Sequence, residues 1–200
     1  MNWIERLHDV YASQRRVRRL ADHLAPLIPS GAAVLDVGCG DGLLDLALRD
    51  RRPDIELRGL DVQVRQTTHI PVEPFDGRHI PHPDKSFDAL LLVDVLHHAD
   101  DGEALLREAV RVARSSLLIK DHTLEGVLAD RTLRFMDDVG NARYRVTRPY
   151  HYWPRDRWLA TFRELGLELG HWRRKLDLYP WPLSMVFGRS LHFIAQLTVP

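Results

Sequence analysis

Three glycines at alternate positions, Gly38, Gly40 and Gly42, directly follow the run Val34-Leu35-Asp36-Val37 and precede a helical stretch that opens at Leu43. Glycine there lets the chain turn sharply from strand to helix and lets a ligand approach the backbone with no Cβ in the way. Asp61, in Gly59-Leu60-Asp61-Val62, lies 25 residues after Asp36. An acidic group about 20 residues beyond a glycine turn can accept both hydroxyls of a ribose, so the two motifs together point to a nucleoside-bearing cofactor. The glycine spacing is not that of a dinucleotide site, because G-x-G-x-x-G would need glycine where Leu43 stands. A carboxylate at Asp36 inside the turn would repel a pyrophosphate, whereas it suits a cofactor carrying a cationic sulfonium and an ammonium group. No Gly-Lys-Ser/Thr follows, which excludes a P-loop.

A second set of candidates lies further on. His97-His98 follows the apolar run 87–93, and Asp121-His122 follows 117–119. Both positions are exits of strand candidates, where an open α/β sheet places its ligand. Histidine titrates near neutrality, so His97, His98 or His122 could accept a proton from a phenol or hydroxyl; packing or helix capping is the alternative. Lys120 either pairs with its neighbour Asp121 or faces the substrate. The histidines are scattered, and no cluster has the spacing of a metal site. Cys39, inside the turn, is expected to pack, since no base is placed to make it a nucleophile. Met136 through Trp153, and Leu178-Tyr179-Pro180-Trp181-Pro182, set aromatics between prolines, either as rigid pocket walls or as a small core over the sheet edge.

These residues need a scaffold of alternating strands and helices. Apolar spacings of three and four predict helices over 4–28, 43–48, 101–113, 126–139 and 155–165. Short apolar runs predict strands at 32–37, 55–60, 70–75, 87–93, 117–119, 167–172 and 191–199. Strands and helices in alternation predict βαβ units and a mostly parallel sheet covered on both faces.

The ordered segments VLDVGCGDG, GLDV and FDGRHIPHPDKSFDALLLVDVLHH resemble the motif series of class I S-adenosylmethionine-dependent methyltransferases, in the small bacterial form similar to quinone-biosynthesis methyltransferases. The resemblance covers roughly residues 15–122. It implies a Rossmann-like, doubly wound α/β fold: a mostly parallel seven-stranded sheet whose last strand is antiparallel, with helices on both faces. It implies S-adenosyl-L-methionine as cofactor. Asp36, Gly38, Cys39 and Gly40 would line its methionine part, and Asp61 would hold the ribose with Val62 against the adenine. Asp76 and Gly77 would read the adenine edge, and Asp94 and Val95 would close over the cofactor. One methyltransferase domain over 1–200 follows, with a helical lid in 1–30, the cofactor-binding core in 31–122, and substrate-side helices with the last two strands in 123–200. Within the lid, Tyr11 or an arginine of the pairs Arg15-Arg16 and Arg18-Arg19 could reach the cofactor carboxylate; a solvated helix face is the other reading.

Composition narrows the partner. The 200 residues balance 28 Lys+Arg against 28 Asp+Glu, which argues against a general nucleic-acid binder. The balance is uneven along the chain: residues 31–100 hold 13 acidic and 7 basic groups, suiting a cationic cofactor, and 101–200 hold 12 acidic and 16 basic. Arg143, Arg145, Arg148, Arg155 and Arg157 surround the aromatic loop, so an acceptor with a carboxylate or phosphate is expected to be tolerated or preferred. A single cysteine, a charged start and no run near the roughly 20 apolar residues of a membrane span predict a reduced, cytoplasmic setting. The expected partner is a small, partly aromatic or apolar methyl acceptor, attacked at oxygen or carbon. The alternatives are an RNA or protein methyltransferase, a silent cofactor-binding accessory protein and, least favoured by the glycine spacing, a nicotinamide-dependent dehydrogenase.

Overall fold

A computed structural model describes the backbone of residues 3–141, 150–188 and 190–200, and their side chains outside 3–13 and 139–141. Seven strands form one sheet: β1 (Ala33–Val37), β2 (Glu56–Asp61), β3 (Val72–Pro74), β4 (Phe87–Val93), β5 (Ala113–His122), β6 (Glu168–Arg173) and β7 (His192–Thr198). Their order is β3-β2-β1-β4-β5-β7-β6. The first five are parallel, and β7 enters antiparallel between β5 and β6. The doubly wound sheet expected from the motifs is therefore present.

Strand β4 shows why its sequence is apolar throughout. Leu90 and Leu92 point into one core, with Leu105, Leu106 and Ala109 of α3 (Gly102–Val112) and Trp158 and Phe162 of α5 (Arg155–Glu164). Ala89 and Leu91 point into the other, with Leu20, Ala21 and Leu24 of α1 (Trp3–Leu24) and Leu48 of α2 (Leu43–Arg51). Successive strand residues face opposite sides, so a strand covered on both must be apolar at every position. Each fully buried leucine contributes about 1.5–3 kcal/mol. Asp101 caps α3, its side chain accepting the Ala104 N–H at 2.9 Å.

Strand order reverses between β1 and β4, which opens a crevice at their carboxyl ends. Two elements differ from the sequence expectation. Strand β5 runs ten residues rather than three, ending in Lys120-Asp121-His122, all buried. Those polar residues look like a strand exit but are buried because Lys120 pairs with Asp94 and Asp121 with His97. A short helix, α6 (Leu183–Phe187), follows Pro182, where the prolines masked any helical pattern; α4 (Ala129–Asn141) precedes it.

Candidate active site

The glycine turn is fixed by backbone bonds to the neighbouring strand. The N–H groups of Gly38 and Cys39 both donate to the Leu60 carbonyl, at 2.7 and 3.1 Å. Gly38, Gly40 and Gly42 have φ of 79°, 66° and 77°, the left-handed region that glycine enters freely. A Cβ on Gly38 would strike Val95, and one on Gly42 would strike Ile70. At Gly40 nothing lies within 4 Å of a Cβ, so the backbone there is open to close approach. Asp61 binds the turn from β2: its Oδ2 accepts the Gly40 N–H at 2.8 Å and its Oδ1 the Gln63 N–H at 2.8 Å.

The remaining cofactor candidates stand at or just beyond the carboxyl ends of β1 to β4. Val62 is 46% exposed, an apolar face beside Gly77, whose Cβ would lie 3.1 Å from it. Asp76 Oδ1 accepts the N–H groups of His79 and Arg78, which hold its carboxyl below the usual range. Val95 packs the exit of β4 onto Gly38. Cys39 packs against Gly59, and burial, with Asp36, Asp45 and Asp61 nearby, pushes its thiol far up, as an inert packing residue requires. Asp36 is 2% exposed and its Oδ1 has no hydrogen-bond partner. An orphaned acidic oxygen, an open glycine and an exposed valine fit the ammonium, backbone-lying and adenine parts of S-adenosylmethionine.

Beyond Val95 lies a buried ionic cluster. Asp94, at φ 57°, accepts hydrogen bonds from Lys120 Nζ and from the Arg16 guanidinium of α1. Lys120 thus pairs across the sheet rather than with Asp121, because adjacent strand residues face opposite sides. Asp121 instead holds His97, with 2.6 Å between its Oδ1 and His97 Nδ1; their side chains are 0% and 1% exposed. His97 Nε2 faces Asp137 of α4 at 3.4 Å, and Asp137 accepts the Tyr152 hydroxyl. Burial works against charge on His97, but Asp121 and Asp137 outweigh it and push its pKa up to about 10. His122 moves the other way: burial, then the charges of Lys120 and His97, lower it. The two neighbouring rings are thus shifted in opposite directions.

All three candidate histidines come together, His98 at 4.0 Å and His122 at 4.6 Å from His97 between ring centroids. His151 N–H donates to the His97 carbonyl at 2.9 Å, which lays the aromatic loop over the histidines. That loop divides: Trp153 joins the core beside Trp158, while Tyr152 stacks on His97 and Tyr150 packs on His98. Arg157 is held by Glu103 and lies over Trp153, and Arg155 lies over Trp172. Arg143, Arg145, Arg148 and the Tyr11 side chain lie outside the described residues. In α1, Arg16 turns to the cluster while Arg18 and Arg19 are exposed.

Sequence reasoning passed over Arg16, Asp137, Tyr152 and His192 as members of this cluster. His192 is the register partner of His122 across β5 and β7, a signal that needed the strand pairing first. The fold also brings ligand atoms of Asp94, His97, Asp121 and His122 within 4.8 Å of one another, a cation-compatible grouping that linear spacing does not reveal. Here Lys120 and Arg16 already sit on Asp94, and the His97 proton on Asp121. Those positive groups occupy the charge that a metal ion would need.

A profile of a methyltransferase-domain family matches residues 8–171. The 27-O-demethylrifamycin SV methyltransferase of Amycolatopsis mediterranei (strain S699) is 29% identical over 133 residues, 56% of this chain and 48% of that one. The chain thus spans about half the length of that curated relative. Among solved structures, a chain of the complex between the Haloferax volcanii Trm112 methyltransferase activator and a methyltransferase superposes with TM-score 0.69 at 20% identity, covering 96% of this chain and 97% of that one. The [4+2]-cyclase SpnF superposes with TM-score 0.67 at 19% identity, covering 92% and 80%. At these identities the superpositions speak for the fold alone. With the profile spanning most of the chain, the chain belongs to the methyltransferase-domain family of class I S-adenosylmethionine-dependent enzymes.

Proposed function

We propose that the protein moves a methyl group to oxygen or carbon of a small, partly aromatic or apolar acceptor seated against Tyr150, Tyr152 and His98. The observation that carries this reading is the placement of His97 and His122, with ring centroids 4.6 Å apart, beside the exit of β4 that packs on Gly38. S-adenosylmethionine, when bound, supplies an electrophilic methyl carbon. In this reading His122 carries its ring proton on Nδ1, 3.4 Å from Asp121 Oδ1 and 3.6 Å from Asp94 Oδ1, and its Nε2 is the proton acceptor. A hydroxyl acceptor loses its proton to that Nε2, and the His97 imidazolium, oriented by Asp121, stabilises the negative charge left on oxygen. Methyl transfer otherwise needs only in-line positioning. Helix α1, tied to Asp94 through Arg16, covers the crevice as a lid. The described arginines Arg155 and Arg157 are engaged elsewhere, so support for an anionic acceptor does not come from them.

The test is transfer of a labelled methyl group across a panel of phenols and hydroxylated aromatics, each with and without a carboxylate. A single methylated product class supports the reading. Cofactor binding without turnover across the panel sinks it, and labelling of bulk RNA instead would move the acceptor to nucleic acid.

A further inference from the structure

Behind the glycine turn lies a pair of carboxyls that the transfer chemistry does not use. Asp36 is the penultimate residue of β1 and Asp45 sits in the first turn of α2; they are 2% and 0% exposed. Asp36 Oδ1 and both oxygens of Asp45 are buried with no donor. The two side chains lie within hydrogen-bonding reach of each other, and two carboxylates, both acceptors, can form that bond only through a proton. The other charged groups acting on the pair are acidic too: Asp61 from β2 and Asp41 from the turn. Among the described residues neither carboxyl has a cation in an ion pair or hydrogen bond. Two ionised carboxylates cannot be held dry and side by side without one, so the pair retains a proton. Burial pushes Asp36 well up and Asp45 to about 7.

We propose that Asp36 and Asp45 form a proton-sharing dyad belonging to the cofactor crevice, and that the cationic cofactor replaces the shared proton when it binds. One O–H bond breaks, the proton passes to buffer, and the cofactor's positive charge takes its place beside the dyad. The inference rests on S-adenosylmethionine occupying this crevice. It makes Asp45, a helix residue outside the glycine motif, a determinant of cofactor affinity.

Calorimetry of the whole chain with S-adenosylmethionine and with S-adenosylhomocysteine, in buffers of different ionisation enthalpy, counts the protons. Release approaching one proton per cofactor is expected at pH values below the titration of the dyad. Affinity should rise about tenfold per pH unit there and flatten above it. Release with both ligands assigns the effect to the ammonium, and release with S-adenosylmethionine alone to the sulfonium. Asp45→Asn keeps the volume and donates to Asp36, so it should bind cofactor with no proton release and a flat pH profile. An infrared carbonyl band of a protonated carboxyl in the free wild-type protein, lost on adding S-adenosylmethionine, reads the same event without a variant. Proton counts of zero in the wild type, or equal counts in wild type and Asp45→Asn, overturn the dyad. Absence of any binding heat with either ligand overturns the cofactor assignment instead.

Discussion

His97 Nδ1 and Asp121 Oδ1 face each other at 2.6 Å with both side chains buried, joining the exit of β4 to the end of β5. This pair sets the protonation of its surroundings: it keeps His97 charged, and that charge helps keep His122 neutral.

Removing one partner leaves the other charged and buried. Asp121→Asn should destabilise the fold by about 3–5 kcal/mol, the cost of breaking a buried pair. The pH dependence follows from the two shifts. The His97 contribution is complete below its ordinary value of 6.5 and is lost as pH rises through about 10. The Asp121 contribution, from a lowered carboxyl, is lost only in acid. Urea unfolding at several pH values checks both, and a loss below 1 kcal/mol would contradict the pairing.

Turnover should depend on pH in the same terms. His122 must be neutral to accept a proton, and its titration is lowered, so activity should persist to below pH 6.5 on the acid side. On the alkaline side it should fall near pH 10, as His97 loses its proton. A kcat/KM profile with its alkaline limb near 7 would assign the charged role to another group.

Gly38 and Gly40 should fail differently. Alanine at either enters the left-handed region, a strain of about 1–2 kcal/mol. At Gly38 it also strikes Val95, so that variant should lose both stability and cofactor affinity. At Gly40 the Cβ enters open space, and the variant should melt close to wild type, within the strain cost, while binding S-adenosylhomocysteine at least tenfold more weakly. Equal affinities for Gly40→Ala and wild type would move the ligand off this backbone.

Asp94 balances a fully buried lysine and a partly exposed arginine. Asp94→Asn leaves Lys120 charged without a carboxylate partner and should cost several kcal/mol, whereas Arg16→Ala, on a side chain 37% exposed, should cost about 1 kcal/mol or less. Adding Lys120→Met to Asp94→Asn should recover most of the loss, which a double-mutant cycle measures. A cycle showing no coupling would contradict the pairing.

The sheet and the glycine turn were legible because each leaves a local signature. The continuous apolar run of β4 and the glycines at 38, 40 and 42 carry their geometry in adjacent residues. The ionic cluster was only partly legible. His97, His98 and His122 stand at strand exits, but Arg16 and His192 reach the cluster from 78 residues before Asp94 and 72 after Lys120. The same holds for Asp45, which reads as an ordinary first-turn acidic residue until the turn folds it against Asp36.

The most direct measurement is single-turnover transfer of a labelled methyl group to the best phenolic acceptor, comparing wild type with His122→Gln, and S-adenosylhomocysteine affinity measured alongside. The expected result is transfer by wild type, a roughly 100- to 10,000-fold slower rate in His122→Gln, and unchanged cofactor affinity. Equal rates in the two proteins, or no transfer by a wild type that binds the cofactor, would contradict the account.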